Sequence, residues 1–171
     1  MGTALLVISM VGGVTGCSGM FGSDDTFETR EVDVARTDAA TFADRIREII
    51  DLPGKLSDAG PQVTPCGDKD FEKFYTVGHM WSLYDVPVAD MEKAMARLKS
   101  ELPAHAWKID SYGPDSSRAK SLELTATATK KKYSLSVRLL DRRGRSENPS
   151  MISVALGSAC FQVPEGTKVD I

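Results

Sequence analysis

The sequence predicts an α+β fold: an antiparallel sheet, made of a four-strand meander plus an earlier strand, covered on one face by two amphipathic helices. Three observations predict this class. Two segments repeat apolar residues at helical spacing, four later segments alternate apolar and polar residues, and turn-forming residues separate them. Clean alternation is typical of strands with one buried and one wet face. We therefore expect the helices to cover the buried face in a two-layer domain.

The first helix is predicted over residues 38–51, because apolar side chains recur there at i, i+4, i+7 and i+8. These side chains are Phe42, Ile46, Ile49 and Ile50. Thr37 or Asp38 is expected to accept hydrogen bonds from the free amides at the start of the helix. Residues 52–69 hold Pro53 and two further prolines with three glycines, and are predicted to form a loop.

An early strand and a second helix follow. Residues 71–84 are rich in aromatic and β-branched side chains, which favour a half-buried strand or a bent pair of strands. The second helix is predicted over 88–101, between Pro87 and Pro103. Its apolar stripe, interpreted as core packing, consists of Met91, Met95, Leu98 and Leu102.

From Trp107 onward the apolar period is two. Trp107 and Ile109 begin the first strand of the meander, and their shared phase predicts a buried Trp107. Three further alternating segments predict strands over 122–128, 133–139 and 152–156.

A short apolar run precedes Cys17. Residues 4–11 carry no charge, are too few to cross a bilayer as a helix, and have the length of a signal-peptide core. Small residues, Thr15 and Gly16, stand directly before the cysteine. The stretch resembles the lipobox of bacterial lipoproteins. That resemblance implies cleavage before Cys17, diacylation of its thiol and acylation of the new amino terminus, and such multiple acylation anchors a protein stably.

The lipobox divides the chain into a signal peptide at 1–16, a lipidated cysteine with a flexible tether at 17–36, and a single globular α+β domain at 37–171. The predicted location is the outer, extracytoplasmic face of the cell membrane. Residues 1–16 contain no Lys or Arg, although signal peptides normally begin with a basic region. Two alternatives therefore stay open: a buried N-terminal strand with an unmodified cysteine, or a true start upstream of Met1.

Lipidation of Cys17 leaves Cys66 and Cys160 as an even pair. Conditions outside the plasma membrane permit disulfides, so a bridge between the two is predicted. The alternative is a pair of unpaired buried thiols.

Composition and motifs argue against several function classes. The net charge of −3 disfavours nucleic-acid binding. No CxxC or HxxxH spacing predicts a metal site, and no phosphate loop or other cofactor motif is found, so none is expected. Neither His79 nor His105 stands in a pattern typical of a hydrolytic triad, and no serine lies in a G-x-S-x-G elbow. The prediction is a protein that is not an enzyme.

Two segments, WSLYDVPVADMEKAMARLKSELPAHAWKI and SACFQVP, together with the lipobox-like start, resemble small lipoproteins of actinobacteria. The resemblance covers most of the chain after Cys17, and loosely outside these segments. It implies a lipoprotein and carries over no catalytic residue.

The predicted function is therefore a membrane-anchored, non-catalytic binding or interaction domain at the cell envelope. A carrier of an apolar ligand between sheet and helices is the alternative, and an uncharacterised envelope enzyme is a third. Loops on a rigid sheet commonly display binding groups, so Tyr112, Asp115 and Arg118 are predicted to border a recognition surface. Basic residues near two turns within 130–145 suggest contact with anionic lipid or wall polymer, or else solvated turns that discourage edge pairing. An envelope protein is the other predicted partner.

Overall fold

The computed structural model describes residues 27–170, which form one sheet of nine strands and two α-helices. The helices are α1 (Val32–Ile50) and α2 (Val88–Glu101), and a short 3₁₀ turn, Leu102–His105, follows α2. The strands are β1 (Glu28–Thr29), β2 (Lys55–Asp58), β3 (Gln62–Pro65), β4 (Phe74–Tyr84), β5 (Lys108–Pro114), β6 (Leu122–Ala128), β7 (Tyr133–Leu140), β8 (Met151–Ser158) and β9 (Phe161–Gln162).

Strand β4 organises the sheet. The strand order is β1-β9-β4-β8-β7-β6-β5, and β2 and β3 both pair with β4. Strand β3 pairs with the first half of β4 and β2 with the second half, so β2 and β3 run as one interrupted strand along the side of β4 away from β8. Strands β1 and β9 pair in parallel and the other pairs are antiparallel. The sheet is therefore mixed.

The predicted fold class is wrong in its architecture. The protein has a large mixed sheet of nine strands rather than an antiparallel sheet made of a four-strand meander and one earlier strand. The missed strands are β1, β2, β3 and β9, none longer than four residues. Segments this short show too few alternations for a period of two to be read from sequence.

Helix α1 begins at Val32, six residues before its predicted start. Thr37, expected as a cap, lies inside the helix and donates its hydroxyl to the Asp33 carbonyl at 2.7 Å. Asp38 instead pairs with Arg30 and Lys131. Residues 28–36, assigned from sequence to a tether, thus form β1 and the first turn of α1.

Residues 52–69, expected to be a loop, contain β2 and β3. The prolines fit this arrangement because Pro61 lies between the two strands and Pro65 ends the second, positions that an edge strand tolerates. Val63 is the buried side chain of β3. Pairing with β4 therefore decided a structure that local composition opposed.

Helix α2 has the predicted bounds, and its predicted stripe is fully buried. Helix α1 packs on β4 and β8, and α2 packs on β7 and β8. Trp107 is buried, as predicted, and meets Phe42 edge to face at 4.9 Å between ring centroids. One continuous apolar cluster fills the space between helices and sheet, where the sequence had suggested a ligand.

The predicted disulfide is present. Cys66 follows β3 and Cys160 precedes β9, and their Cα atoms lie 5.7 Å apart across a sequence separation of 94 residues. No helix within residues 27–170 is long and apolar enough to cross a membrane. Cys17 and the predicted signal peptide lie outside the described residues.

Candidate functional site

The sheet face away from the helices carries the candidate site, which we call the open groove. Residues of β3, β4, β8, β7, β6 and β5 all line it, so it crosses six neighbouring strands, a width of about 24 Å at the usual strand spacing. Because one depression touches both β3 and β5, the sheet curves and this face is concave. The groove has a volume of about 630 Å³ and a largely apolar surface. Its size lies within the range of small-molecule sites.

Small residues form the floor of the groove. Gly78 of β4 and Gly157 of β8 face each other in register, and Ala155 lies two residues along β8. Neither glycine has a positive φ, so the backbone does not require glycine at either position. A Cβ atom at Gly157 would meet only the Ser134 Oγ, at 3.7 Å. These glycines therefore keep space open, and a strand glycine often marks close approach of a ligand or another backbone.

The polar side chains that line the groove are bonded to the protein itself. Thr64 bonds Thr76 at 2.8 Å, and Thr125 bonds Ser111 at 2.7 Å, between hydroxyl oxygens. Three further hydroxyls donate within the sheet: Thr127 to Asp110 at 2.5 Å, Ser134 to the Gly157 carbonyl at 3.2 Å, and Ser136 to Glu123 at 2.9 Å. The Gln62 amide donates to the Ala59 carbonyl at 3.1 Å. The walls therefore present mainly methyl and methylene groups.

Met80 stands beside the glycine floor with its side chain 72 % exposed, the most exposed of the large apolar side chains in the described chain. Methionine is flexible and polarisable, and adapts to ligands of different shape. An exposed methionine at the edge of an apolar depression is typical of a binding surface.

At one end, the groove is lined by Ala59 and Gly60, which lie between β2 and β3. A buried polar cluster holds these two residues in place. His79 of β4 is 3 % exposed, and its Nε2 lies 2.7 Å from the Asp58 Oδ1. The same oxygen accepts from the Gly60 N–H at 2.7 Å, and Arg47 of α1 pairs with the second oxygen. The cluster thus ties the turn that carries Ala59 and Gly60 to helix and sheet.

The environment of Asp58 favours its charged form. Burial acts to raise the pKa of Asp58, but the Gly60 N–H, the hydrogen bond with His79 and the Arg47 charge together lower it below its ordinary value. An ionised Asp58 is the acceptor that all three neighbours need. The cluster is therefore a charged support for the groove wall, and its histidine is closed to solvent.

The three predicted recognition residues lie around the β5–β6 hairpin but do different things. Tyr112 is half-buried on the helix side, where the Lys99 Nζ lies 4.7 Å from its ring centroid. The Asp115 Oδ1 accepts bonds from the Ser117 N–H at 3.0 Å, the Ser117 hydroxyl at 2.6 Å and the Ser121 N–H at 3.1 Å. These bonds lower the pKa of Asp115. Arg118 is exposed in the same loop. Asp115 thus orders the loop, and its role in recognition stays a prediction.

Three basic residues of the two turns are paired with carboxylates of the domain. Lys131 lies 3.1 Å from Asp38, and Lys132 lies 3.6 Å from Glu28. In the next turn Arg143 binds Asp141 at 2.7 Å, and these bonds hold the pKa of that carboxyl well below its usual range. Part of the positive charge is therefore already balanced. Contact of these turns with anionic lipid or wall polymer stays a prediction.

The sequence did not predict the open groove, because its walls are formed by the polar positions of strands that alternate apolar and polar residues. Serine and threonine on the wet face of a strand predict solvent contact, not a cavity. The one available signal was the pair of strand glycines, Gly78 and Gly157. Their alignment depends on the register between β4 and β8.

Comparison of the chain with protein-family models, with curated proteins and with solved structures finds no match. Within residues 27–170, no group of three or more His, Cys, Asp or Glu side chains is arranged to hold a metal ion. The open groove thus stands as the candidate site on its geometry alone.

Proposed function

We propose that this protein is a lipid-anchored, extracytoplasmic and non-catalytic binding domain whose apolar ligand occupies the open groove. The observation that carries the proposal is the groove itself: a concave apolar depression floored by glycines that the backbone does not require. A glycine in a strand interior costs roughly 0.5–1 kcal/mol relative to alanine. Two glycines paired in register, Gly78 and Gly157, favour a role that depends on the absence of side chains at these positions.

The location in this proposal depends on two features. The lipobox-like stretch before Cys17 supports acylation, and the Cys66–Cys160 disulfide fits an oxidising compartment. The non-catalytic part is supported by the burial of His79, whose imidazole is closed to solvent.

The binding proposal is tested by filling the floor. The full chain is used with Cys17→Ser, so that no acyl chain on the protein competes for the groove. We expect this variant to bind the fluorescent hydrocarbon diphenylhexatriene. Gly157→Leu should weaken that binding by about tenfold or more, since 1.4 kcal/mol of lost contact suffices. The free energy of unfolding should stay equal or rise, because the new Cβ atom would meet only the Ser134 Oγ, at 3.7 Å, and a strand glycine is replaced.

Ser153→Leu is the matched control. Ser153 lies on the same strand and the same face as Gly157, but outside the groove lining. It should leave dye binding unchanged. Equal binding in wild type and Gly157→Leu, or loss of stability in Gly157→Leu with binding intact, would show that the glycines serve the sheet alone.

The anchor is tested separately. Cys17→Ala should release the protein from membranes or leave it unprocessed, and the wild type should carry acyl mass on its amino-terminal peptide. Unchanged membrane retention together with no acyl mass would reject the lipoprotein assignment.

A further inference from the structure

We propose that the open groove takes up the hydrocarbon chain of a lipid from the same membrane in which the protein is anchored. This inference rests on the proposed function and names the chemistry and source of its ligand. Two independent observations carry it: the hydrogen bonding of the groove walls and the place where the chain enters the domain.

The walls select a ligand without polar groups. Among the described residues lining the groove, every hydroxyl, amide and carboxylate side chain has a partner within the protein. A polar ligand that displaced these bonds would leave groups unpaired, each at a cost of about 1–3 kcal/mol. A hydrocarbon chain leaves them in place and gains by removing apolar surface from water, about 0.8 kcal/mol per buried CH₂.

The shape of the groove favours a flexible chain over a ring system. None of its described lining residues is aromatic, so no side chain offers a stacking surface. The lining combines small Gly, Ala, Ser and Thr residues with Met80, Gln62, Asp110 and two leucines across six strands. A depression that crosses six strands fits an extended aliphatic chain, with its head group left in solvent.

The chain enters the domain beside the open face of the sheet, at the start of β4 and outside the groove lining. Phe27, the first described residue, packs edge to face on Phe74 at 4.9 Å between ring centroids. Phe74, Thr76 and Gly78 alternate along β4 and share the open face, and Thr76 bonds the groove residue Thr64. Phe74 lies about 14 Å along the strand from Gly78.

The number of residues between Cys17 and Phe27 limits how far the open face can lie from the membrane. Phe27 lies ten positions after Cys17, with nine residues between them. Ten positions span at most about 33–36 Å, the length of a fully extended chain. With its anchor at Cys17, the groove is therefore held within a few tens of ångströms of the bilayer surface. The lipids of that bilayer are its most concentrated source of hydrocarbon chains.

The test uses the acylated protein in vesicles of phosphatidylcholine and phosphatidylglycerol that contain a trace of phosphatidylcholine with a diazirine in its acyl chain. After illumination, mass spectrometry of peptides should find lipid adducts on Met80 and Ala155. Gly157→Leu should reduce these adducts by about tenfold or more, and Ser153→Leu should leave them unchanged.

The outcomes separate this inference from the proposed function. If no adducts form in the groove while the Cys17→Ser chain still binds diphenylhexatriene, the ligand is not a membrane lipid, and the protein remains a binding domain. The same result is expected if the protein's own acyl chain fills the groove. Equal adducts in wild type and Gly157→Leu would indicate random collision with the bilayer and overturn this inference as well. Failure of both dye binding and adduct formation would reject both proposals.

Discussion

The two faces of the sheet are built from the same strands, but one is buried under the helices and the other is open to solvent. On the helix-covered face, strands β4, β6, β7 and β8 present large apolar side chains that α1 and α2 seal from water. On the open face the same strands present glycine, alanine, serine and threonine, whose hydroxyls are bonded to the protein. The difference teaches that a polar sequence pattern can produce an apolar surface when the polar atoms satisfy each other.

The largest effect is expected at the disulfide, which links the margins of both faces. Cys66 follows β3, which borders the open groove, and Cys160 precedes Phe161 in the covered core. Replacing both cysteines with serine should lower the free energy of unfolding by about 4–5 kcal/mol on the loop-entropy estimate. Denaturant titration measures this loss. A loss below about 1 kcal/mol would show that packing alone holds this edge.

A pair of methionine substitutions compares the faces directly. Met95→Ala on α2 removes a fully buried side chain and should cost about 2–5 kcal/mol of unfolding free energy. Met80→Ala on the open face removes a side chain that is 72 % exposed, and should change it by less than about 0.5 kcal/mol. Met80→Ala should weaken dye binding while Met95→Ala, once folded, should not. Similar destabilisation by both would contradict the division into a sealed and an open face.

The polar cluster that supports the groove wall should contribute less. Asp58→Asn removes the negative charge between His79 and Arg47, and should cost about 1–3 kcal/mol because both partners lose their charged acceptor.

The pH dependence of stability checks the same cluster. Because the pKa of Asp58 is lower in the folded protein, its contribution is present above its unfolded pKa of about 3.9 and is lost as pH falls through the folded value. Below about pH 4, wild type should therefore lose stability more steeply than Asp58→Asn. Parallel curves for the two proteins would exclude an ionised Asp58 as the support.

The smallest effects are expected in the β5–β6 loop. Asp115→Ala should lower the Tm measurably because three loop hydrogen bonds lose their acceptor, whereas Arg118→Ala should leave the Tm unchanged. Thermal scanning of both variants measures the difference. If a partner is captured from native membranes, loss of its binding in Arg118→Ala with an unchanged Tm would support the predicted recognition surface, and full retention would reject it.

Much of the covered face was predictable from sequence. The bounds of α2 followed from Pro87 and Pro103. Its buried stripe and the burial of Trp107 followed from period and phase, because burial on one face requires that periodicity. The pairing of Cys66 with Cys160 followed from cysteine count once Cys17 was set aside. The predicted start of helix α1 was six residues too late. Thr37 has the side chain of a typical N-cap, and only the packing of Ala35 in the core shows that the helix begins before it.

The sequence by itself determined which side chains of the long strands and helices are buried, because alternation and helical spacing are local properties of the chain. Only the tertiary structure decided the rest. The short strands β1, β2, β3 and β9 exist because long-range pairing supplies their hydrogen bonds. The groove depends on the curvature of the sheet and on the register that places Gly78 opposite Gly157. The same register lets the lining hydroxyls form hydrogen bonds within the protein. Register and curvature depend on contacts between residues far apart in sequence, and no local pattern carries them.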